Sequence, residues 1–153
     1  MQNTPQTIPV PIMRLPNNDD VPLPDYQSEH AAGMDLHAAV EDTVTIPAGE
    51  IRLIPCGFAM AVPVGYEAQV RPRSGIATKF GISMPNAPGT IDADYRGQVM
   101  VPLINHSTKP FDVTRTMRIA QMIIKPVPRA QWQEVSELPS TDRGDGGFGH
   151  TGQ

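Results

Sequence analysis

The chain has 153 residues and a formal net charge of −4, enough for one domain with a single core and too short for two of ordinary size. Its 17 Pro and 13 Gly exclude long helices, because Pro removes a helical hydrogen bond and clashes with the preceding turn. The acidic balance excludes a general nucleic-acid binder, whose affinity comes from neutralising many phosphates.

In chain order, residues 1–8 are polar and are expected to form a flexible N-terminus. Val10 to Leu15 reads as an edge strand, a place where Pro is tolerated. Thr43–Pro47, Glu50–Ile54, Phe58–Val62, Tyr66–Val70 and Gly97–Val101 are short β-like pieces, each bounded by Gly or Pro. Their spacing predicts an all-β sandwich or barrel. Ala48-Gly49 predicts a hairpin turn, and Ser74–Gly81 the one short helix, with Ser74 as its N-cap and Gly81 as its stop. Phe111 to Lys125 is Pro-free, and Ile119, Ile123 and Ile124 tilt it toward strand. From Ser136 onward aliphatic residues nearly vanish and Gly takes five of the last ten positions. That tail has no core of its own to pack.

Charge is unevenly placed. Eight carboxylates and no Lys or Arg lie between Arg14 and Arg52, whereas Lys109 to Arg129 holds five basic residues against Asp112 alone. Arg outnumbers Lys nine to three, and guanidinium forks suit a bidentate grip on phosphate or carboxylate, so a small anionic ligand fits an acidic protein. The single Cys56 excludes an intrachain disulfide and points to a reducing, cytoplasmic setting. The N-terminus lacks the basic and apolar stretches of a signal peptide. The longest uncharged run, Leu53 to Tyr66, is 14 residues and interrupted by Pro, too short to span a bilayer.

Five segments carry candidate chemistry. Ala32-Gly-Met-Asp-Leu36 places Asp35 two residues after Gly, on its own ordinary turn chemistry. Arg71-Pro-Arg-Ser-Gly-Ile-Ala77 sets two guanidiniums ahead of a helix start, where free N–H groups favour a phosphate; a solvated basic loop with a structural cap is the competing reading. In Asn86-Ala-Pro-Gly-Thr-Ile-Asp-Ala-Asp-Tyr-Arg-Gly97, Asp92 and Asp94 share one side if the chain is extended, where one could serve as general base. The same stretch reads equally as a hairpin tip. Arg118-Ile-Ala-Gln121 looks like edge or rim residues on an apolar strand. The last segment, Arg143 to Gly152, contains a literal G-x-G-x-x-G, but too few residues follow for the helix a dinucleotide fingerprint needs. It reads as a disordered tail or as a lid whose successive N–H groups meet an anion. No spacing among His30, His37, His106 and His150 suits zinc, and neither a P-loop nor Gly-x-Ser-x-Gly occurs.

Together and in this order, the five segments resemble the five motifs of the trimeric dUTPase family, from about residue 10 to the end of the chain. One departure is His150, where many members carry Ser. The resemblance implies a jelly-roll-like β domain over residues 9–138 and a flexible arm over 139–153 that closes over a neighbouring active site. It also implies a homotrimer with shared interfacial sites, and Mg²⁺-dependent cleavage of dUTP to dUMP and pyrophosphate. Carried over by position, Asp92 would activate the water that attacks the α-phosphorus. Asn86 would read the uracil edge, and Tyr95 would pack against deoxyribose where a 2′-hydroxyl would sit. Arg73, Ser74, Gly75 and Gln121 would hold the phosphates, and Thr90, Ile91 and Met100 would complete the substrate pocket. Asp35 would meet Mg²⁺ through water. Arg143, Phe148 and Gly149 would arrive on the arm of another subunit, the Arg on terminal phosphates and the Phe over uracil. The rivals are a dCTP deaminase of the same fold and a non-catalytic β-sandwich.

Overall fold

The structure is a computed structural model that describes residues 7–149. The N-terminus expected to be flexible therefore lies mostly outside the described residues, as does His150. The first strands are β1 (Ile12–Arg14), β2 (Asp25–Tyr26), β3 (Met34–His37), β4 (Val44–Ile46), β5 (Ile51–Met60) and β6 (Tyr66–Pro72). After α1 (Ser74–Phe80) come β7 (Ile82–Ser83), β8 (Gly89–Ile91), β9 (Gln98–Asn105), β10 (Phe111–Val113) and β11 (Arg118–Pro126). All pairings are antiparallel, in sheets ordered β1-β5-β9-β7, β10-β4 and β2-β3-β11-β6-β8. Facing residues of the two larger sheets form one core, with Leu36, Ile54, Phe58, Val70, Val101, Leu103, Ile119 and Met122 all buried. The result is the all-β, jelly-roll-like sandwich with one short helix that the sequence predicts.

Alternation along the strands decides what faces outward. In β9, Val99, Val101, Leu103 and Asn105 are buried while Gln98, Met100, Pro102 and Ile104 turn away from the core. In β6, Ala68 and Val70 point in, leaving Glu67, Gln69 and Arg71 as a hydrogen-bonded row on the other face. The one buried side-chain amide among the described residues, Asn105, donates to the Ile46 and Lys109 carbonyls and accepts from Ser107, so its burial leaves no polar atom of the side chain unmatched.

Several local expectations are corrected. Glu50–Ile54 and Phe58–Val62 belong to a single strand, β5; a register shift between Pro55 and Ala59 absorbs the interruption at Gly57, whose φ is 76°. Ala48-Gly49 is a turn but not a hairpin, since β4 pairs with β10 and β5 with β1 and β9. Phe111–Lys125 is two strands in different sheets, parted by a turn in which Thr116 has a φ of 65°. The helix cap is Arg73 and not Ser74: the Arg73 carbonyl accepts the first intrahelical bond, from Ala77 N–H, and no side chain caps the helix. Gly81 is the expected stop, left-handed at φ 67°. Asp92 and Asp94 are not on extended chain but in a tight turn, closed by Tyr95 N–H to the Asp92 carbonyl at 3.2 Å.

Beyond Pro126 the described chain has no strand or helix. Trp132, Val135, Leu138 and Phe148 stand exposed along it. Among the described residues no helix is long and apolar enough to cross a membrane.

Candidate active site

Most of the predicted site residues gather in two separate places. Asp35, Arg73, Ser74, Gly75 and Gln121 line one open cavity of about 280 Å³, together with Gln27, Gly33 and Arg118. The sheet builds this cluster directly. Asp35 on β3 is in register with Gln121 on β11, and Gln121 with Arg71 on β6, while Pro72 ends β6 and delivers Arg73 to the helix start.

Asp35 is the charge at the centre. It is 9% exposed, and a carboxylate so placed requires partners. It has two: Arg73 Nε lies 3.2 Å from Oδ1 and Arg118 Nη1 3.2 Å from Oδ2. Arg73 also donates to the Arg118 carbonyl at 3.3 Å. One carboxylate thus aligns two guanidiniums at the mouth of the cavity and leaves further N–H donors on each for an anion. Gln121 Nε2 donates to the Pro72 carbonyl at 3.0 Å. Its Oε1 occupies the space a side chain at residue 33 would need, 2.7 Å from where a Cβ would stand. Beside the cluster, burial holds the His37 imidazole below its ordinary pKa; Asp35 opposes this shift, and Arg118 and Arg73 add to it. His37 Nδ1 is buried without a partner.

Thr90, Ile91, Asp92, Tyr95 and Met100 line a second cavity, of about 320 Å³, with Leu53, Gln98 and Val99. Here β8 supplies Thr90 and Ile91, the following turn supplies Asp92 and Tyr95, and the outward face of β9 supplies Met100. Tyr95 Oη donates to the Gln98 carbonyl at 2.9 Å, which fixes the ring across the turn. Asp92 also borders an adjoining cleft of about 610 Å³ with Glu67, Asp94, Arg96 and Arg129. The first two cavities have no lining residue in common.

Three groups stay apart from both. Asn86 is exposed in the turn before β8 and lines neither cavity. Arg143 folds back only on its own loop, donating from Nε to the Gly146 carbonyl at 2.7 Å. Phe148 is fully exposed, and Gly149 has nothing within 4 Å of its Cβ position.

Arg118 was in view in the sequence yet read as a rim residue. Three residues apart, Arg118 and Gln121 would face opposite ways on a regular strand, but a bulge between Arg118 and Ala120 turns both toward the cavity. The adjacent apolar pair Ile119-Ala120, both buried, is the sequence signal of that break in alternation. Gln27 and Gly33 reach the site from the connection into β3, which no periodicity reveals.

The chain is thus a jelly-roll-like β-sandwich with one cavity lined by two guanidiniums and a second, separate cavity. The dUTPase family profile matches residues 19–152. The chain is 56% identical to the deoxyuridine 5′-triphosphate nucleotidohydrolase of Maricaulis maris (strain MCS10), over 95% of this chain and 97% of that one. It is 58% identical to the same enzyme of Rickettsia akari (strain Hartford), over 85% and 88%. The fold matches a mutant dUTPase of Staphylococcus bacteriophage 80alpha with dUpNHpp, at a TM-score of 0.85 and 23% identity, covering 96% of this chain and all of that one. A mutant dUTPase from phage phi11 of S. aureus, described with a structural Mg(II) ion, matches at a TM-score of 0.77 and 20% identity, over 87% of this chain and all of that one. The chain belongs to the dUTPase family and is a hydrolase of dUTP.

Proposed function

We propose that this dUTPase cleaves dUTP to dUMP and pyrophosphate in sites assembled from different subunits of a homotrimer. The observation that carries this reading is the division of the site: the phosphate-type cluster and the Asp92–Tyr95 pocket are separate cavities, and the Arg143–Phe148 segment touches neither. Each part is incomplete by itself. Exposed Ile51, Leu53, Val64 and Trp132 supply apolar surface for the contacts that would join them.

In that assembly Arg73, Ser74, Gly75 and Gln121 grip the phosphates, and Asp35 keeps the Arg73 and Arg118 guanidiniums aligned. The nucleoside enters the second cavity, where Thr90, Ile91 and Met100 form its walls and Tyr95 fills the place of a 2′-hydroxyl; Asn86, outside that cavity in the single chain, meets the uracil edge together with nearby backbone once the site is assembled. Asp92 takes the proton from the water that attacks the α-phosphorus. Arg143 neutralises the terminal phosphates, and Phe148 with Gly149 covers the base.

The donor set suits Mg²⁺ in one way only. Among the described residues no group of His, Cys, Asp or Glu is arranged to hold a metal, and both Asp35 oxygens are already paired with Arg. Mg²⁺ would be held mainly by the triphosphate, with Asp35 facing it through bound water. When bound it supplies charge neutralisation across the phosphates. A cytoplasmic location suits the one thiol, Cys56, which burial pushes up to about 12 and so keeps unreactive.

Mixed-subunit complementation tests the shared site. Arg73→Ala and Asp92→Asn chains are each expected to be nearly inactive alone. Co-expressed, they should regain activity in about a quarter of the sites, because each half-site is intact in half of the chains. No recovery above the single variants would place both half-sites in one chain and overturn the composite site.

A further inference from the structure

Several glycines here are explained by their backbone. Gly49, Gly65, Gly144 and Gly149 have positive φ and nothing within 4 Å of a Cβ position. Gly97 is the reverse. It is not among the positive-φ glycines, so its backbone conformation does not call for glycine. A Cβ on it, however, would stand 2.4 Å from Tyr95 Oη, 2.6 Å from Cζ and 3.0 Å from Cε2. What excludes a side chain at residue 97 is the Tyr95 ring.

The ring is half-exposed but held at both ends. It is rigid beyond its first two side-chain torsions, its hydroxyl donates to the Gln98 carbonyl at 2.9 Å, and the backbone that carries it is pinned by the Tyr95 N–H, which donates to the Asp92 carbonyl at 3.2 Å. Gln98 is the first residue of β9 and pairs with Ala59 of β5, so the tie fastens the ring to the sheet. The close approach to Gly97 is the third constraint. Together these hold the ring along the wall of the cavity it shares with Thr90, Asp92 and Met100.

We propose that Gly97 is a positioning residue for sugar specificity: the space left by its missing side chain sets where the Tyr95 ring lies. The inference rests on the reading of Tyr95 as the group that fills the place of a 2′-hydroxyl. A methyl group at residue 97 lifts the ring off the backbone and breaks its bond to the Gln98 carbonyl. dUTP then loses its fit, whereas UTP, already poorly accommodated, has less to lose.

The test is kcat and KM for dUTP and UTP with the wild type, Tyr95→Ala, Gly97→Ala and the double variant. A pocket that rejects a hydroxyl by lack of room discriminates by about 10². Gly97→Ala is expected to remove most of that ratio of kcat/KM, mainly by raising KM for dUTP, and the double variant should be no less selective than Tyr95→Ala alone. If Tyr95→Ala narrows the ratio and Gly97→Ala leaves it unchanged, the role of Gly97 is wrong while that of Tyr95 stands. If Tyr95→Ala leaves the ratio unchanged, the reading of Tyr95 fails and the role of Gly97 falls with it. Should Gly97→Ala be too unstable for kinetics, thermal melting decides: adding Tyr95→Ala must restore the Tm, because the clash is with the ring, and no recovery overturns the proposal.

Discussion

Asp92→Asn is expected to lower kcat for dUTP by about 10²–10⁴-fold, the range a positioned general base contributes, with little change in nucleotide affinity. The substitution keeps the size of the side chain and the backbone bond from Tyr95 N–H to the residue 92 carbonyl. It removes only the carboxylate proposed to take the proton from water. Asp92 is the acidic residue in the pocket that also holds Thr90, Ile91, Tyr95 and Met100, while Asp35, the other carboxylate of the predicted site, is engaged by two guanidiniums. Steady-state pyrophosphate release and equilibrium titration with a non-hydrolysable dUTP analogue check the two halves separately. Turnover near wild type would remove Asp92 from the base role.

Deletion of residues 143–153 is expected to leave the Tm nearly unchanged and to cut turnover by about 10³-fold, the lower end of what an arginine supplied from another chain contributes to phosphoryl chemistry. Stability is spared because Arg143 bonds within its own loop and Phe148 is fully exposed, so that among the described residues of the segment no core contact is lost. Activity falls, in the proposed arrangement, because the phosphates lose a guanidinium and the base loses its cover. Calorimetry and pyrophosphate release on the truncated chain measure both effects. Full activity would deny the tail any part in catalysis, and a large fall in Tm would make it a structural strand instead of a lid.

The all-β frame was legible because Pro and Gly punctuate it at short intervals, bounding pieces such as Tyr66–Val70 and Gly97–Val101 that overlap the observed β6 and β9. Three kinds of feature escaped. Two-residue strands such as β2 and β7 are too short to show a period, and exist only because a neighbour pairs with them. Bulges at Gly57 and between Arg118 and Ala120 break the period itself, hiding the unity of β5 and the orientation of Arg118. The cap is Arg73, whose backbone is extended at φ −86° and ψ 130° and whose guanidinium meets Asp35, neither of which the local preference for Ser74 anticipates.

The site was legible as five segments but not as a geometry. Asp35 alone is turn chemistry; placed in β3 opposite Gln121, it becomes the carboxylate that aligns two arginines. The excess of Arg over Lys has its physical sense there, since planar guanidiniums can share one carboxylate and still present donors to a phosphate. Gly proves to be of two kinds. At Gly49 and Gly81 it serves the backbone, whereas at Gly33 and Gly97 it leaves room for the side chains of Gln121 and Tyr95.

The most direct measurement is incubation of the wild-type protein and Mg²⁺ with dUTP, dCTP, dTTP and UTP in separate reactions, with pyrophosphate and ammonia assayed in each. Pyrophosphate should appear with dUTP, in step with dUMP, and be far slower or absent with the other three, with no ammonia in any reaction. Ammonia from dCTP would make the chain a deaminase of the same fold, and no pyrophosphate from dUTP would leave a β-sandwich without this chemistry.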